Sequence, residues 1–303
     1  MVKNYALIFT GQGSQWVGMG KKTYEKSQKF KEIFDRCEEI INLPLKKLCF
    51  EGPEIELTKT IYAQPAILSF SIGIFEIYKE KVEEKPLCAF GHSLGEFTAL
   101  YAGEVLSFED VLEIVKERGK LMHEAGEEFP GSMAAIIGVE EEEVREIIEK
   151  NKFKFCVIAN YNSPSQIVIS GKKEEVEEIC NELKNKRKGK IIPLVVSAAF
   201  HSPLMDKPAE KFSEFLKNKI FKKPIFPIIQ NATGEIETDP EKIKKNVEKQ
   251  LNSPVLFTKC VESAWKHGAK CFIEIGPKKV LTRLVKEIKE EAEAIFISEE
   301  DVF

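Results

Sequence analysis

The stretch that most limits what this chain can fold into is Pro86-Leu-Cys-Ala-Phe-Gly-His-Ser-Leu-Gly-Glu96. Its centre, Gly91-His92-Ser93-Leu94-Gly95, reads G-x-S-x-G. A short apolar run precedes it, and a helix-forming run, Phe97-Thr-Ala-Leu-Tyr-Ala102, follows. That strand–turn–helix context turns a weak five-residue match into a nucleophile elbow. The turn is so sharp that side chains two residues to either side of the serine would collide, so both positions call for glycine. The serine hydroxyl then stands clear of the sheet at a helix N-terminus. Free backbone N–H groups and the positive end of the helix dipole can receive an oxyanion there. The rival reading of the same residues is a glycine-rich turn that happens to contain a serine.

Length and composition narrow the setting. A chain of 303 residues suggests one large domain with room for an inserted smaller one. With 43% apolar and 31% charged residues it reads as an ordinary globular protein, and a net charge of −4 argues against a nucleic-acid partner. No run reads as a membrane span, and Met1-Val-Lys-Asn-Tyr5 shows no signal-peptide pattern, so no membrane association is expected. Seven cysteines without a C-x-x-C pair point to reduced thiols in a cytoplasmic setting. With four histidines and no H-E-x-x-H, no metal is expected, and the chemistry read below calls for no cofactor.

Along the chain, apolar runs alternate with helical periodicity. Residues 5–10 read as a buried strand, broken by Gly11-Gln-Gly-Ser-Gln15. Trp16 stands where a dinucleotide fingerprint needs its third glycine, so this loop is a flexible turn with free N–H groups, not a nucleotide cradle. Residues 23–41 and 60–80 read as helices, with Pro65 suited to the first turn of the second and Gln64 at its mouth. Ser107-Phe-Glu-Asp110 opens a helix running towards residue 124, on which Val111, Val115, Arg118 and Met122 share one face. Residues 132–196 give strand, helix, strand, strand, helix, strand, the ferredoxin-like β-α-β-β-α-β order. The expected organisation is therefore a large α/β unit, residues 1–128 and 197–303, with a mostly parallel sheet and a hydrolase-like elbow. A small ferredoxin-like unit, residues 129–196, is inserted in it.

The elbow serine needs a base. The turn aims His92 away from Ser93, and His123 and His267 fall in helices among polar residues. His201, in a loop after an apolar strand, is the base by elimination, against the alternative of a loop histidine with a structural hydrogen bond. As the base, it predicts a rate that rises with pH through the histidine range. Its second ring nitrogen would need a carboxylate or a backbone carbonyl, and spacing alone does not choose one. Arg118, on an apolar stripe, needs a buried anion or several acceptors; a structural pair with a nearby glutamate is one of the readings.

These residues together resemble the malonyl-CoA:acyl-carrier-protein transacylases, and more broadly the acyltransferase domains of polyketide and fatty-acid synthases. The likeness covers nearly the whole chain. It rests on Gly11-Gln12-Gly13-Ser14-Gln15, Tyr62-Ala-Gln64-Pro65, Gly91-His92-Ser93-Leu94-Gly95-Glu96, Arg118-Gly119 and Asn162-Ser-Pro-Ser-Gln166 with Ile167-Val-Ile-Ser-Gly171. Further on it rests on Ala199-Phe200-His201-Ser202, Asn231-Ala-Thr, Gln250 ahead of Ser253-Pro254, and Glu274-Ile-Gly-Pro277. Each motif is weak alone; in this order and spacing the set is specific.

The resemblance implies Ser93 as the acylated nucleophile and His201 as its base. It implies the main-chain carbonyl of Gln250 orienting the imidazole, and the N–H groups of Gln12 and Leu94 as the oxyanion hole. Arg118 would grip the malonyl carboxylate, Gln64 would line the site, and Phe200 would favour malonyl over branched units. The implied partners are malonyl-CoA and holo acyl carrier protein, with the chain acting as a monomer. Thr10, in place of a common proline, and Pro277-Lys278-Lys279, in place of a more usual glycine-bearing turn, depart from the pattern in loops only. Two rivals stand beside this reading. One is an α/β-hydrolase esterase or thioesterase, which places an acid between serine and histidine in chain order and needs no buried arginine. The other is a non-catalytic module that binds the carrier protein.

Overall fold

The computed structural model describes residues 3–196 and 198–302. Met1 and Val2 of the N-terminal reading, and Ser197, the expected first residue of the return to the large unit, lie outside the described residues. The strands in chain order are β1 (Tyr5–Phe9), β2 (Cys88–Gly91), β3 (Gly131–Ile137), β4 (Val157–Ser163), β5 (Gln166–Lys172), β6 (Lys190–Pro193), β7 (Ile228–Ile229), β8 (Ile236–Glu237), β9 (Cys271–Ile275) and β10 (Glu293–Ile297). They form a six-stranded sheet in the order β10-β9-β1-β2-β7-β8 and a four-stranded sheet in the order β4-β5-β3-β6. The first is parallel except for β8, which runs antiparallel beside β7. The second is antiparallel throughout. The chain is thus an α/β protein with mixed sheets.

β1 shows why the large sheet reads as unbroken apolar runs. All five of its residues are buried, because a parallel sheet is covered on both faces. Tyr5, Leu7 and Phe9 enter one core and Ala6 and Ile8 the other, the period-two alternation of a strand. β9 splits in the same way, with Ile273 and Ile275 on one side and Phe272 on the other. In the small sheet, Ala134, Ile136, Ile167 and Ile169 pack under the helices Glu141–Lys150 and Lys173–Asn185. Met133, Ala135 and Val168, on the opposite face, join the core that packs on the six-stranded sheet. β4 is tied to the loop at Val255 by Tyr161 N–H to Val255 O, 2.9 Å, and Val255 N–H to Ala159 O, 2.8 Å.

Several expectations need correcting. Residues 23–41 are two helices, Lys21–Lys26 and Gln28–Ile41, because Ser27 turns extended and its hydroxyl caps the second by accepting from Phe30 N–H. Pro65 lies in the second turn of the helix Thr60–Lys81, not the first. The helix there gives up one rung and is held by the packing around it. This same helix is long and apolar enough to cross a bilayer by length and composition, contrary to the sequence reading, yet 83% of its most apolar window is buried inside the protein. It packs between the helices Gln28–Ile41 and Phe108–Glu128 as the central helix of the core. β7 is only two residues long, and β8 and the helices Leu45–Glu51 and Glu54–Leu57 had no clear sequence signal. The Glu274-Ile-Gly-Pro277 motif gains a structural reason. The buried Glu274 carboxylate accepts from the N–H groups of Val280, Leu281 and Thr282, capping the helix Leu281–Ile288 from the preceding strand.

Candidate active site

The elbow is built by close approach of backbone. A Cβ on Gly91 would stand 2.1 Å from the carbonyl carbon of Gly95, and one on Gly95 would stand 2.0 Å from Phe9 O. No side chain fits at either place. Ser93 itself sits at φ 52°, the left-handed region that costs a residue with a Cβ about 1–3 kcal/mol. Asn231, from the turn after β7, spans the strained turn: its Oδ1 accepts from Ser93 N–H at 2.7 Å and its Nδ2 donates to Gly91 O at 2.7 Å. The Gly-Gln-Gly loop after β1 lies against the elbow, since a Cβ on Gly11 would be 2.3 Å from His92 O. Thr10 helps brace that loop: its hydroxyl meets Ser14 Oγ at 3.1 Å, and Ser14 Oγ donates to Gly11 O at 2.8 Å. Among the described residues the N–H groups of Gln12 and Leu94 have no protein acceptor. Leu94 follows the serine and Gln12 lies in the loop that meets the elbow, so both donors are candidates to receive an oxyanion.

His201 reaches the same hydroxyl from 108 residues away, with Nε2 2.8 Å from Ser93 Oγ. It too occupies the left-handed region, at φ 58°. Its Nδ1 lies 2.9 Å from Gln250 O and 3.0 Å from Ser253 O. Carbonyl oxygens only accept, so the ring proton is on Nδ1 and Nε2 presents its lone pair to Ser93. Burial, with the positive charge of Arg118 adding to it, lowers the His201 pKa to about 3; the two carbonyls oppose the shift. The imidazole is therefore neutral far below the ordinary histidine range, which corrects the pH dependence expected from the sequence.

Arg118 is buried and touches the nucleophile: Nη2 donates to Ser93 Oγ at 3.0 Å. Its other partners are amide oxygens. Nη1 donates to Gln64 Oε1 at 2.6 Å, while Nη2 and Nε donate to Gln250 Oε1 at 2.9 and 3.2 Å. The guanidinium carbon lies 5.4 Å from the centroid of the Phe97 ring. Among the described residues no carboxylate comes within ion-pair distance, so the alternative of a direct pair with glutamate does not describe this arginine. Burial lowers its pKa to about 9, against the opposing charge of Glu96, and it remains a cation at neutral pH.

The structure thus brings Ser93, His201, Arg118, Gln64 and Gln250 into one hydrogen-bonded cluster, with Gln12 and Leu94 at its edge. Phe200 is buried beside His201 in sequence. His92 faces away, its Nε2 2.8 Å from Asn162 Oδ1, while His267 is exposed and His123 half-buried against Glu127. A cleft of about 380 Å³ beside β4 and the helix Glu141–Lys150, lined by Arg145, Tyr161, His201, Asn252 and Pro254 among others, reaches His201. Among the described residues no group of three or more His, Cys, Asp or Glu side chains is placed to hold a metal.

Sequence reasoning gave no role to Asn231, Ser253 or Glu96. Asn231 and Ser253 act from loops far off in the chain, with no periodicity to mark them. Glu96 did carry a signal. It sits in a helix, Gly95–Ala102, with almost no polar face, so an acid in it has to be buried and partnered.

The acyl transferase domain family matches residues 6–298. The malonyl CoA-acyl carrier protein transacylase of Bacillus subtilis (strain 168) is 40% identical over 296 residues, spanning 97% of this chain and 93% of that protein. Two solved structures overlay nearly the whole chain. An acyl carrier protein S-malonyltransferase from Vibrio cholerae O1 biovar eltor is 36% identical, with a TM-score of 0.91 and 97% of each chain covered. A malonyl-transacylase in a holo complex with a type II PKS acyl-carrier protein is also 36% identical, with a TM-score of 0.93, covering 97% of this chain and 96% of the other.

Proposed function

We propose that this chain, which belongs to the malonyl CoA-acyl carrier protein transacylases of the acyl transferase domain family, works by a two-step exchange on Ser93. The overall reaction moves a malonyl group from coenzyme A to an acyl carrier protein in fatty-acid synthesis. In the first step Ser93 Oγ gives its proton to His201 Nε2 and attacks the thioester carbon. The oxyanion that forms takes hydrogen bonds from Gln12 and Leu94 N–H. Collapse breaks the C–S bond, His201 returns the proton to the departing thiolate, and a malonyl ester stays on Ser93. In the second step the phosphopantetheine thiol of the carrier protein gives its proton to His201 and attacks the ester. It leaves as the malonyl thioester while Ser93 regains its proton.

The observation that carries this reading is the joining of two contacts at one oxygen. Ser93 Oγ is 2.8 Å from the lone-pair nitrogen of His201 and 3.0 Å from Arg118 Nη2. A buried cation beside the nucleophile with no protein carboxylate of its own suits an acyl group that ends in a carboxylate. An esterase of the α/β-hydrolase type would orient its histidine with an acid, whereas the partners here are two carbonyls. The cleft that reaches His201 is the route we assign to the pantetheine arm.

We divide the chain into a large unit with a hydrolase-like core, residues 1–128 and 197–303, and a small unit, residues 129–196. The small unit is read as ferredoxin-like on its strand order β4-β5-β3-β6 and its two helices on one face. The enzyme is proposed to act as a cytoplasmic monomer without a cofactor. The test is intact-mass analysis after mixing with malonyl-CoA. The wild type should hold one malonyl group on Ser93 and pass it to holo carrier protein, and Ser93→Ala should hold none. Transfer by the alanine variant would reject the serine mechanism.

A further inference from the structure

Glu96 is the one acidic side chain of the cluster, it is buried, and the proposed chemistry leaves it without a task. Its Oε2 accepts from Gln250 Nε2 at 2.9 Å and from Asn231 N–H at 3.0 Å, and its Oε1 accepts from Gln230 Nε2 at 3.4 Å. Burial raises the Glu96 pKa, opposed by these hydrogen bonds and the charge of Arg118. All three partners are donors, so the geometry selects the carboxylate, and a proton on Glu96 would find no acceptor among them.

The consequence falls on Gln250. An amide has one end that donates and one that accepts, and which way it faces is decided by its neighbours. Nε2 of Gln250 faces Glu96 and also donates to Ser93 O at 3.0 Å. Oε1 must then face Arg118, where it accepts from both Nε and Nη2. The amide stands between a buried anion and a buried cation with its dipole aligned to both. Turned over, it would set donors against the guanidinium and its oxygen against the carboxylate.

We propose that Glu96 is a positioning residue for substrate selection: through the Gln250 amide it balances the buried charge of Arg118 at one remove, with no carboxylate at the guanidinium to repel the acyl carboxylate. A carboxylate in direct contact with Arg118 would balance the charge equally well. It would also repel an anionic acyl group, which the neutral amide oxygen on the same Nε and Nη2 donors does not.

This inference rests on the malonyl-transfer reading, and the test separates the two. Wild type, Glu96→Gln and the double variant Glu96→Gln/Gln250→Glu are compared by thermal melt and by kcat and KM with malonyl-CoA and acetyl-CoA. They are also compared by the rate at which a neutral serine-directed phosphonate labels Ser93. Glu96→Gln keeps the shape but removes the charge and sets an NH2 among partners that are all donors, while Ser93 O and Arg118 still hold the Gln250 amide in its sense. Malonyl transfer should then fall about tenfold or more, the scale of a lost hydrogen bond to a charged group. Acetyl transfer and phosphonate labelling should stay within about threefold of wild type. The double variant keeps one buried negative charge but sets it against Arg118, so it should fold and still transfer malonyl poorly. An equal fall with both acyl groups in folded variants would overturn the proposal, since that marks a general structural role. So would recovery of malonyl transfer in the double variant, or failure of both variants to fold. Failure of the phosphonate to label Ser93 in the wild type would instead reject the serine mechanism.

Discussion

Gly11→Ala tests the least visible part of the site, a backbone N–H. The added Cβ would stand 2.3 Å from His92 O, and Cβ contacts under 3.0 Å are essentially never seen, so loop and elbow must part by at least 0.7 Å, the difference between 3.0 and 2.3 Å. The atom met is backbone in a strained turn held on both sides by Asn231, so it cannot swing aside as a side-chain tip would. The loop carrying Gln12 is the part that moves. A donor placed about 2.9 Å from the oxyanion then lies at about 3.6 Å, which is no longer a hydrogen bond. Loss of one oxyanion donor costs about 2.7–4 kcal/mol, or about 10²–10³ in rate. The expected outcome is an acylation rate lower by about 10², with little change in the KM for malonyl-CoA, because the donor serves the tetrahedral oxygen more than the ground-state carbonyl. Quenched-flow measurement of malonyl-Ser93 formation gives the rate, and a thermal melt on the same preparation reports folding. A folded Gly11→Ala enzyme acylated within about threefold of the wild-type rate would refute the oxyanion role of the Gln12 N–H.

The remaining expectations follow from the base and the cation. His201→Ala should slow acylation by about 10² or more, and an unchanged rate would remove it as the base. In the wild type the lowered pKa of about 3 keeps His201 unprotonated above pH 5, so kcat/KM should show no acid limb between about pH 5 and 8. A limb centred near pH 6.5 would contradict the burial argument. The same shift makes folding lose stability as pH falls from about 6.5 towards 3, since the unfolded chain binds a proton there that the folded one refuses. Melts at pH 7 and pH 5 should show this direction. Arg118→Ala should lose malonyl transfer by about 10² or more, a carboxylate left buried and unpaired costing about 3–5 kcal/mol, while acetyl transfer is kept or rises. Arg118→Lys should fall between, having the charge but not the fork. An equal fall for both acyl groups, measured as kcat/KM, would reject the grip on the carboxylate.

Features that arise within a few residues were legible in the sequence. Gly91 is closed in by Gly95 across one turn, so that half of the elbow is a local steric fact, whereas Gly95 is closed in by Phe9 O of the neighbouring strand. The β-α-β-β-α-β order of residues 132–196 shows in periodicity alone. The spacing of Val111, Val115, Arg118 and Met122 placed the arginine on the buried face of its helix, and it is buried. What that face would meet could not be read. Periodicity says which side of a helix turns inward, while the partners come from the Thr60–Lys81 helix, the elbow and the loop at Gln250.

Only the tertiary structure decided the rest, because the deciding contacts join segments far apart in the chain. Ser93 and His201 are separated by 108 residues and His201 and Gln250 by 49. The protonation state of His201 is a property of burial and of Arg118's charge, neither of which belongs to any short stretch. Glu96 shows the division within one residue. Its position after the elbow and in an apolar helix is written in the sequence. That it faces only donors, and so meets a buried cation through an amide 154 residues away, depends on where two other loops come to rest.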